Sequence, residues 1–304
     1  MEISAYTPKH HDLIFDVGLH KGEDAEFYLR KGFRVVAFEA DPDLIASCKE
    51  RLKEFLNNGQ FKIVNGAIVG LDLIRAGYKT VRFYKNSDVS VWGTVNADWA
   101  ERNARLGTLS NVLEVDAINF VDAIREHGVP YFMKIDVEGC DTVCLSSLSG
   151  FKERPTYISI ESDKTSFGNI KREIDLFVKL GYTSFQAVEQ SKIHLSQSPP
   201  HPPREGNYVA QAFEEGSSGL FGSELEREWK SRHKILRQYY FIRLGYFLVG
   251  DDGIMSKWRF RGAARLRSLA GRIVGLLTHA AVPGWYDTHA RHSCMDVATV
   301  KLSR

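Results

Sequence analysis

The stretch Leu13–Leu29 reads LIFDVGLHKGEDAEFYL, and its order of elements decides the fold of the first half of the chain. An apolar run carrying Asp16 leads into Gly18 and Gly22, and a helical pattern follows. A strand, a glycine turn and a helix in this order present backbone N–H groups to a nucleotide-like ligand. The spacing D-x-G-x-x-x-G is not the G-x-G-x-x-G of NAD enzymes, and a carboxylate before the first glycine would repel a pyrophosphate. The turn therefore predicts a cofactor that carries positive charge.

A second acid supports a nucleoside cofactor. The segment VVAFEADP (35–42) places Glu39 at the end of the next predicted strand, where it can accept hydrogen bonds from both ribose hydroxyls. NAD and S-adenosylmethionine share that ribose, and the acid in the first turn favours S-adenosylmethionine. The alternative is that Asp16 and Glu39 only cap helices. The predicted cofactor-binding residues are Asp16, Gly18, His20, Gly22, Glu39, Ala40, Gly66, Ala67 and Asp136.

Short apolar runs alternate with helical patterns over the first 190 residues. Most runs are continuously apolar, which is typical of strands buried on both faces. The alternation predicts an α/β fold with a doubly wound, mostly parallel sheet between helices. The predicted strands are 13–17, 35–39, 61–65, 131–136, 157–161 and 182–188, with a hairpin-like stretch at 81–95. The predicted helices are 23–31, 42–57, 118–127, 141–148 and 166–180.

Composition restricts the class of protein. The chain has 304 residues and a formal net charge of +2, so it lacks the global charge of a nucleic-acid-binding protein. Its four cysteines form no CxxC pair, which favours reduced thiols and a cytoplasmic location over a disulfide framework or a zinc site. The sequence has no apolar run of about 18 residues, so we predict no membrane-spanning helix.

A second cluster of charges lies in YFMKIDVEGCDTVCLSSL (131–148), where Lys134, Asp136 and Glu138 alternate at the end of an apolar strand. Such charges are costly to bury unless they are paired or used. Because ligands of open α/β sheets bind at the carboxyl ends of the strands, Asp136 should face the same cleft as Asp16.

Four segments resemble the FkbM family of S-adenosylmethionine-dependent methyltransferases: FDVGLHKGEDAEFY (15–28), VVAFEADP (35–42), VDAINFVDAI (115–124) and KIDVEGCD (134–141). The resemblance covers roughly residues 12–190 and implies a class I methyltransferase fold and O-methylation, often of sugar hydroxyls in glycans or secondary metabolites. Many members have Asn where this chain has His20, which leaves the role of His20 open.

Methyl transfer to a hydroxyl needs in-line placement, a path for the hydroxyl proton and exclusion of water. The catalytic candidates are Asp136, His20 and Glu161. Asp136 is either the base or a residue that holds the cofactor. His20 titrates near neutrality and is either the base or a replacement for Asn as a donor within the turn. Asp136, Glu161 and Asp163 are also hard oxygen ligands that could hold Mg²⁺, and the alternative is that Glu161 pairs with Lys134.

The pattern changes after the core, which we predict to span residues 1–195. The remainder, 196–304, begins with the proline-rich SQSPPHPPREG and continues with two helical patterns at about 223–248 and 256–280. From Arg227 to Arg272 the sequence contains twelve Lys or Arg residues and three acidic residues, a surplus of nine positive charges. We predict that this basic helical extension covers the acceptor site. Its segment GWYDTHARHS (284–293) supplies Trp285 and His289, which with Asp163 are the predicted substrate-binding residues.

The expected partner is a sugar-containing small molecule or glycan, and no specific nucleic acid. An alternative function uses the basic helices to dock onto a membrane, a nucleic acid or a partner protein, with methylation secondary or lost. Peripheral membrane contact fits either function, because a basic amphipathic helix suits an anionic surface.

Overall fold

The computed structural model describes residues 6–137, 139–162, 166–214, 216–249, 254–257, 262–278 and 285–293. Within them lie the strands β1 Lys9–Val17, β2 Arg34–Glu39, β3 Phe61–Asn65, β4 Ala67–Ile68, β5 Thr80–Asn86, β6 Ser110–Ile118, β7 Val129–Ile135, β8 Tyr157–Glu161, β9 Tyr182–Glu189 and β10 Tyr286–His292. The helices are α1 Glu23–Arg30, α2 Pro42–Arg51, α3 Lys53–Asn57, α4 Leu71–Arg75, α5 Ala97–Arg105, α6 Phe120–His127, α7 Asp141–Ser147, α8 Phe167–Lys179, α9 Ile193–Ser196, α10 Arg232–Val249 and α11 Ala263–Thr278.

The chain folds into two units. The first comprises Met1–Ile160 together with Ser198–Gln211 and Leu220–Leu225, and the second comprises Glu161–Gln197, Ala212–Gly219 and Glu226–Arg304. In this grouping the second unit includes residues 161–195 of the predicted core, and two segments from beyond residue 195 belong to the first unit. The functional division at residue 195 stays a prediction.

The first unit contains five parallel strands in the order β3-β2-β1-β7-β8. Most of their apolar side chains are buried, including Ile14, Phe15, Val35, Phe132 and Ile158. Continuous apolar runs form such strands because helices cover both faces of a parallel sheet. In this register Asp16 of β1 lies beside Lys134 of β7, which brings two charges 118 residues apart onto neighbouring strands.

Each of the first two crossover helices begins where the sequence places its signals. Gly22 precedes α1 with φ of 80°, and the first turn of α1 carries acidic residues that favour its N-terminus. Asp41 caps α2 by accepting a hydrogen bond from the backbone N–H of Asp43, with Pro42 at the first helical position. Both helices therefore start at the carboxyl ends of the strands.

A small second sheet in the order β4-β6-β5 also belongs to the first unit. The hairpin-like stretch predicted at 81–95 is present in part, since an isolated antiparallel bridge joins Tyr84 to Thr94. The main partner of β5 is β6, which runs antiparallel to it, and α5 lies between the two in sequence. The sequence analysis missed both α5 and β6.

The second unit pairs β9 antiparallel with β10 and includes α8, α10 and α11. The predicted helix at 223–248 begins nine residues late, at Arg232. The predicted helix at 256–280 is found as Ala263–Thr278, and residues 258–261 and 279–280 lie outside the described part. Among the described helices, none is both long enough and apolar enough to cross a membrane. The predicted α/β fold, with a mostly parallel sheet flanked by helices, is confirmed.

Candidate active site

A pocket opens in the first unit at the carboxyl ends of β1, β2, β3 and β7. Seven of the nine predicted cofactor residues line it: Gly18, His20, Glu39, Ala40, Gly66, Ala67 and Asp136. Its other lining residues are Phe38, Asp41, Leu44, Ile68, Phe83, Ser90, Gly93, Thr94, Val95, Val137 and Cys140. The strand ends thus bring together residues from four separate stretches of sequence.

The glycine turn after β1 fits tightly against β7. Gly18 has φ of 93°, and a Cβ at this position would lie 2.0 Å from the backbone carbonyl oxygen of Asp136. Glycine is therefore required here both by conformation and by space. Gly22 lies behind the pocket, where a Cβ would press on Cys48 and Leu52 at 3.2 and 3.3 Å.

His20 is the one described residue other than glycine with a positive φ, at 50°. This left-handed region is open mainly to Gly, Asn, Asp and His. The structure thus explains the departure from the usual Asn: both residues suit the backbone that the turn requires. The sequence analysis noted the substitution without this reason.

Glu39 is held by three backbone N–H groups. His20 donates to Oε2 at 2.9 Å, while Ala40 and Asp41 donate to Oε1 at 2.8 and 2.9 Å. Burial raises the pKa of Glu39, and these three hydrogen bonds act against that rise. The carboxylate is therefore fixed in orientation and lines the pocket, with acceptor capacity left on Oε2.

Asp16 is not among the residues that line the pocket, and its contact with the cofactor stays a prediction. It is fully buried, and its Oδ1 lies 3.4 Å from Nζ of Lys134. The same Nζ lies 3.5 Å from Asp24 and 3.6 Å from Asp136, and it donates to the carbonyl oxygen of Gly18 at 3.2 Å. Burial raises the pKa of Asp16 to about 7, and Lys134 acts against that rise. The lysine thus places one cation beneath the glycine turn.

Two proton acceptors line the pocket. The side chain of Asp136 is 48% exposed. His20 Nε2 lies 2.8 Å from the hydroxyl oxygen of Ser90, and its Nδ1 lies 3.9 Å from Glu23. Burial lowers the pKa of His20, with Glu23 acting against it, so the imidazole is largely neutral at pH 7. A neutral ring nitrogen can accept a proton from a hydroxyl.

Comparison with known proteins decides the family. The Methyltransferase FkbM domain matches residues 16–190, more than half of the chain. The chain belongs to the FkbM methyltransferase family. It is therefore an S-adenosylmethionine-dependent methyltransferase, as its motifs predict. No curated protein matches the sequence.

Several solved structures are similar to this FkbM methyltransferase. A methyltransferase from Thiobacillus denitrificans, in complex with S-adenosyl-L-homocysteine, is 12% identical, with 94% of this chain and 86% of that one covered and a TM-score of 0.33. A methyltransferase from Archaeoglobus fulgidus is 10% identical, with 92% and 85% covered and a TM-score of 0.35. The C-terminal domain of precorrin-6Y C5,15-methyltransferase from Rhodobacter capsulatus is 12% identical, with 67% and 78% covered and a TM-score of 0.34.

The sequence analysis missed the wall of the FkbM pocket that Ser90, Gly93, Thr94 and Val95 supply. These residues follow β5 in the stretch that we predicted only as hairpin-like. The one available signal was SDVSVWGTV (87–95), in which small and hydroxyl-bearing residues alternate with apolar ones. That pattern is common in loops, so it could not mark a binding wall.

The remaining acidic candidates, Glu161 and Asp163, were considered as Mg²⁺ ligands. Glu161 ends β8 and is half-buried, whereas Asp163 lies outside the described residues. Across the part of the chain that the structure describes, no group of three or more His, Cys, Asp or Glu side chains could hold a metal ion. The Mg²⁺ alternative at Asp136 and Glu161 is therefore not supported.

The predicted substrate residues Trp285 and His289 belong to the second unit. Trp285 is half-buried and directly precedes β10. His289 lies within β10, opposite Gln186 of β9, and only 2% of it is exposed. Burial lowers the pKa of His289 to about 3, so the ring is neutral. The segment GWYDTHARHS was expected to bind substrate through its aromatic and polar tips, and the structure shows most of it as a buried strand.

Proposed function

We propose that this methyltransferase transfers a methyl group from S-adenosylmethionine to a hydroxyl group of a sugar-containing acceptor. The observation that carries the proposal is the pairing, in one pocket, of the fixed Glu39 carboxylate with the neutral imidazole of His20. The carboxylate can accept a hydrogen bond from a ribose hydroxyl, and the neutral imidazole can accept the proton of an alcohol. The resemblance to FkbM proteins supports a sugar as the acceptor.

The residues present fit the cofactor. Glu39 would accept a ribose hydroxyl on the free side of Oε2, because its other acceptor positions are taken by backbone N–H groups. Gly18 lets the cofactor approach the turn without a side chain in the way. Gly66, with φ of 139°, precedes Ala67, and these small residues with Ile68 offer a flat apolar surface for adenine. The bound cofactor supplies an electrophilic methyl group on a sulfonium.

The chain's own residues manage the acceptor hydroxyl. We assign its proton to Nε2 of His20, which lies at hydrogen-bond distance from the Ser90 hydroxyl, a group that the acceptor hydroxyl would replace. Asp136, half-exposed at the same pocket, accepts a hydrogen bond that orients the acceptor. When the acceptor oxygen receives the methyl group that the bound cofactor would supply, His20 would take up the hydroxyl proton. Glu161, Trp285, His289 and Asp163 stay predictions for the rest of the acceptor.

Cofactor binding is tested first. Isothermal titration calorimetry with S-adenosylhomocysteine should give a clear isotherm for the wild type. Glu39→Ala should weaken binding roughly tenfold or more, because it removes the charged acceptor of a ribose hydroxyl. Glu50→Ala, an exposed acid on α2, is the control and should bind as the wild type does. Binding of NAD instead, or an unchanged isotherm for Glu39→Ala, would remove the cofactor assignment.

The role of His20 is tested separately with His20→Asn, which keeps a residue suited to the left-handed backbone. Loss of the base should lower kcat about a hundredfold while affinity for S-adenosylhomocysteine stays the same. The wild-type rate should fall at acid pH, because protonated His20 cannot accept a proton, with an apparent pKa below the usual histidine value. If the variant keeps both the wild-type kcat and the decrease in rate at acid pH, His20 acts only as a residue of the turn.

The acceptor class is tested by mass spectrometry on a panel of free sugars, nucleotide sugars and glycans, with non-sugar alcohols, thiols and amines as comparisons. A mass increase of one methyl group on a sugar hydroxyl supports the proposal. Methylation of only thiols or amines contradicts O-transfer and leaves the cofactor assignment intact.

A further inference from the structure

Helix α10 of the second unit presents an apolar stripe to solvent. Tyr240, Phe241, Leu244 and Phe247 are exposed, and the side of the helix that carries Ile235, Tyr239, Ile242, Gly245 and Val249 is buried. The exposed set recurs at helical spacing, so it lies on one face. Phe247 is 55% exposed, which is costly for an aromatic side chain in water.

Helix α11 repeats the arrangement. Leu266, Leu269 and Ile273 are exposed and share one face at i, i+3 and i+7. The sequence analysis predicted an amphipathic helix from this spacing, and the expected use of such a stripe is burial against the protein. These three residues are instead left in solvent, and Arg265 and Arg272 on the adjoining face are exposed as well.

Positive charge accompanies both stripes. Arg237 is exposed beside the α10 stripe, and Arg243 is half-buried on its other side. The sequence from Arg227 to Arg272 carries the surplus of nine positive charges, against a net charge of only +2 for the whole chain. Exposed apolar side chains bordered by arginines are typical of helices that lie at a lipid interface, where the arginine stems stay in the apolar layer and their heads reach the phosphates.

We propose that α10 and α11 dock the enzyme onto a membrane surface that contains anionic lipid. This inference goes beyond methyl transfer and concerns where the enzyme acts. Exposed Phe and Leu side chains gain free energy by entering the acyl boundary, which a nucleic acid does not offer. The arginines gain from anionic headgroups, which a neutral apolar partner does not offer. A membrane of this composition satisfies both observations.

The test is co-sedimentation of the full chain with vesicles of pure phosphatidylcholine and of phosphatidylcholine with 30% phosphatidylserine, a probe composition chosen on the order of physiological anionic content. We expect binding to the anionic vesicles that weakens about tenfold or more when salt is raised from 50 to 300 mM, because the ionic contacts are screened. Pure phosphatidylcholine should bind much less.

Two pairs of variants separate the apolar and the ionic contributions. Leu269→Glu with Ile273→Glu should abolish binding, and the matched control is Leu109→Glu with Val112→Glu, which changes two exposed apolar residues of the first unit. Arg265→Gln with Arg272→Gln should weaken binding about tenfold or more. Its control is Lys53→Gln with Lys152→Gln, two exposed lysines elsewhere. Circular dichroism and S-adenosylhomocysteine binding verify that each variant is folded.

Several outcomes overturn the proposal. They are the absence of binding to anionic vesicles, an equal loss of vesicle binding in the variants and their controls, and binding that does not change with salt concentration. The protein could instead form a dimer in sedimentation velocity and fail to bind vesicles. If Leu269→Glu with Ile273→Glu abolishes that dimer, the surface binds a second copy of the chain. Salt-sensitive binding to an oligonucleotide without vesicle binding would assign it to nucleic acid. None of these results bears on cofactor binding or methyl transfer, which are tested independently.

Discussion

Two buried lysines of the first unit show two uses of the same side chain. Lys31, 1% exposed, forms one ion pair, its Nζ lying 2.8 Å from Oε1 of a Glu224 that is fully buried. Lys134, 4% exposed, instead lies among the three carboxylates of Asp16, Asp24 and Asp136, at 3.4–3.6 Å. One lysine makes a short contact with one acid, and the other is shared at longer distances.

The surroundings explain the difference. Glu224 also accepts the backbone N–H groups of Arg204 and Glu205, so the Lys31 pair joins the segments 198–211 and 220–225 to the end of α1. Lys134 donates to the carbonyl oxygen of Gly18, so it supports a turn of the pocket. A buried pair in a dry place contributes mainly to folding, whereas a shared cation beside a pocket can keep several groups in position for a ligand.

The largest expected effect follows from removing the cation of the tight pair. Lys31→Met leaves the Glu224 carboxylate buried without its ammonium partner, and it should lower the free energy of unfolding by about 3–5 kcal/mol. Urea denaturation measures the loss. The protein that remains folded should bind S-adenosylhomocysteine as the wild type does.

The control for that variant is the double change Lys31→Met with Glu224→Gln. The amide oxygen still accepts the N–H groups of Arg204 and Glu205 while the buried charge disappears, so much of the stability should return. A double variant as unstable as Lys31→Met alone would show that packing, and not charge, makes this region stable.

Lys134→Met should act mainly on the ligand. It removes a charged donor to Gly18, so affinity for S-adenosylhomocysteine should fall about tenfold to a hundredfold in calorimetry. Its cost in stability should be smaller than that of Lys31→Met, since Asp136 is half-exposed and Asp16 can take up a proton. Lys134→Arg, which keeps the charge, should recover part of the affinity. Equal losses of stability for the two Met variants would end the distinction between the lysines.

Asp136→Asn changes the exposed member of the shared cluster. We expect kcat to fall about tenfold, because a neutral amide accepts a hydrogen bond from the substrate hydroxyl more weakly than a carboxylate does. Stability should be nearly unchanged for a half-exposed, nearly isosteric residue. A loss of S-adenosylhomocysteine affinity with normal kcat would move Asp136 from the acceptor to the cofactor.

Asp16→Asn changes the buried member and should have the smallest effect, visible in its pH dependence. The folded-state pKa of Asp16, about 7, lies above its unfolded value, so the folded chain keeps a proton that the unfolded chain releases. This contribution to stability is complete below pH 4 and is lost as the pH rises through 7. The variant should lack that decline. Denaturation midpoints at pH 5 and pH 8 measure it, and parallel curves for the two proteins would contradict the assignment.

The sequence predicted the parts of the first unit whose signals are local. Continuous apolar runs predicted the parallel strands, and the motifs at the strand ends predicted seven of the eighteen residues that line the pocket. It did not predict that Asp16 would turn inward to Lys134, because that depends on the register between β1 and β7. The pair of Lys31 and Glu224 joins residues 193 apart and has no local signal. Strand β6 alternates apolar and acidic residues over 113–117, a period of two that could have identified it.

The second unit was predicted less well for a related reason. Helical spacing identified α10 and α11, but spacing cannot say whether an apolar stripe faces a core or solvent. Strand β10 carries Tyr286, Thr288 and Ala290 at alternate positions, a period of two that could have identified it. The neighbouring Trp and His residues gave that segment the composition of a ligand-binding loop instead.

The close fit of Gly18 against β7 also has a consequence for the order in which the protein is made. The backbone N–H of Asp136 donates to the carbonyl oxygen of Val17, and the carbonyl of Asp136 lies directly against Gly18. The glycine turn and Glu39 are synthesised about a hundred residues before the strand that supports them, and domains fold as units during synthesis. A nascent chain on the ribosome that has not yet exposed β7 would carry the sequence motif without a finished binding site, so the enzyme acquires its cofactor only late in translation.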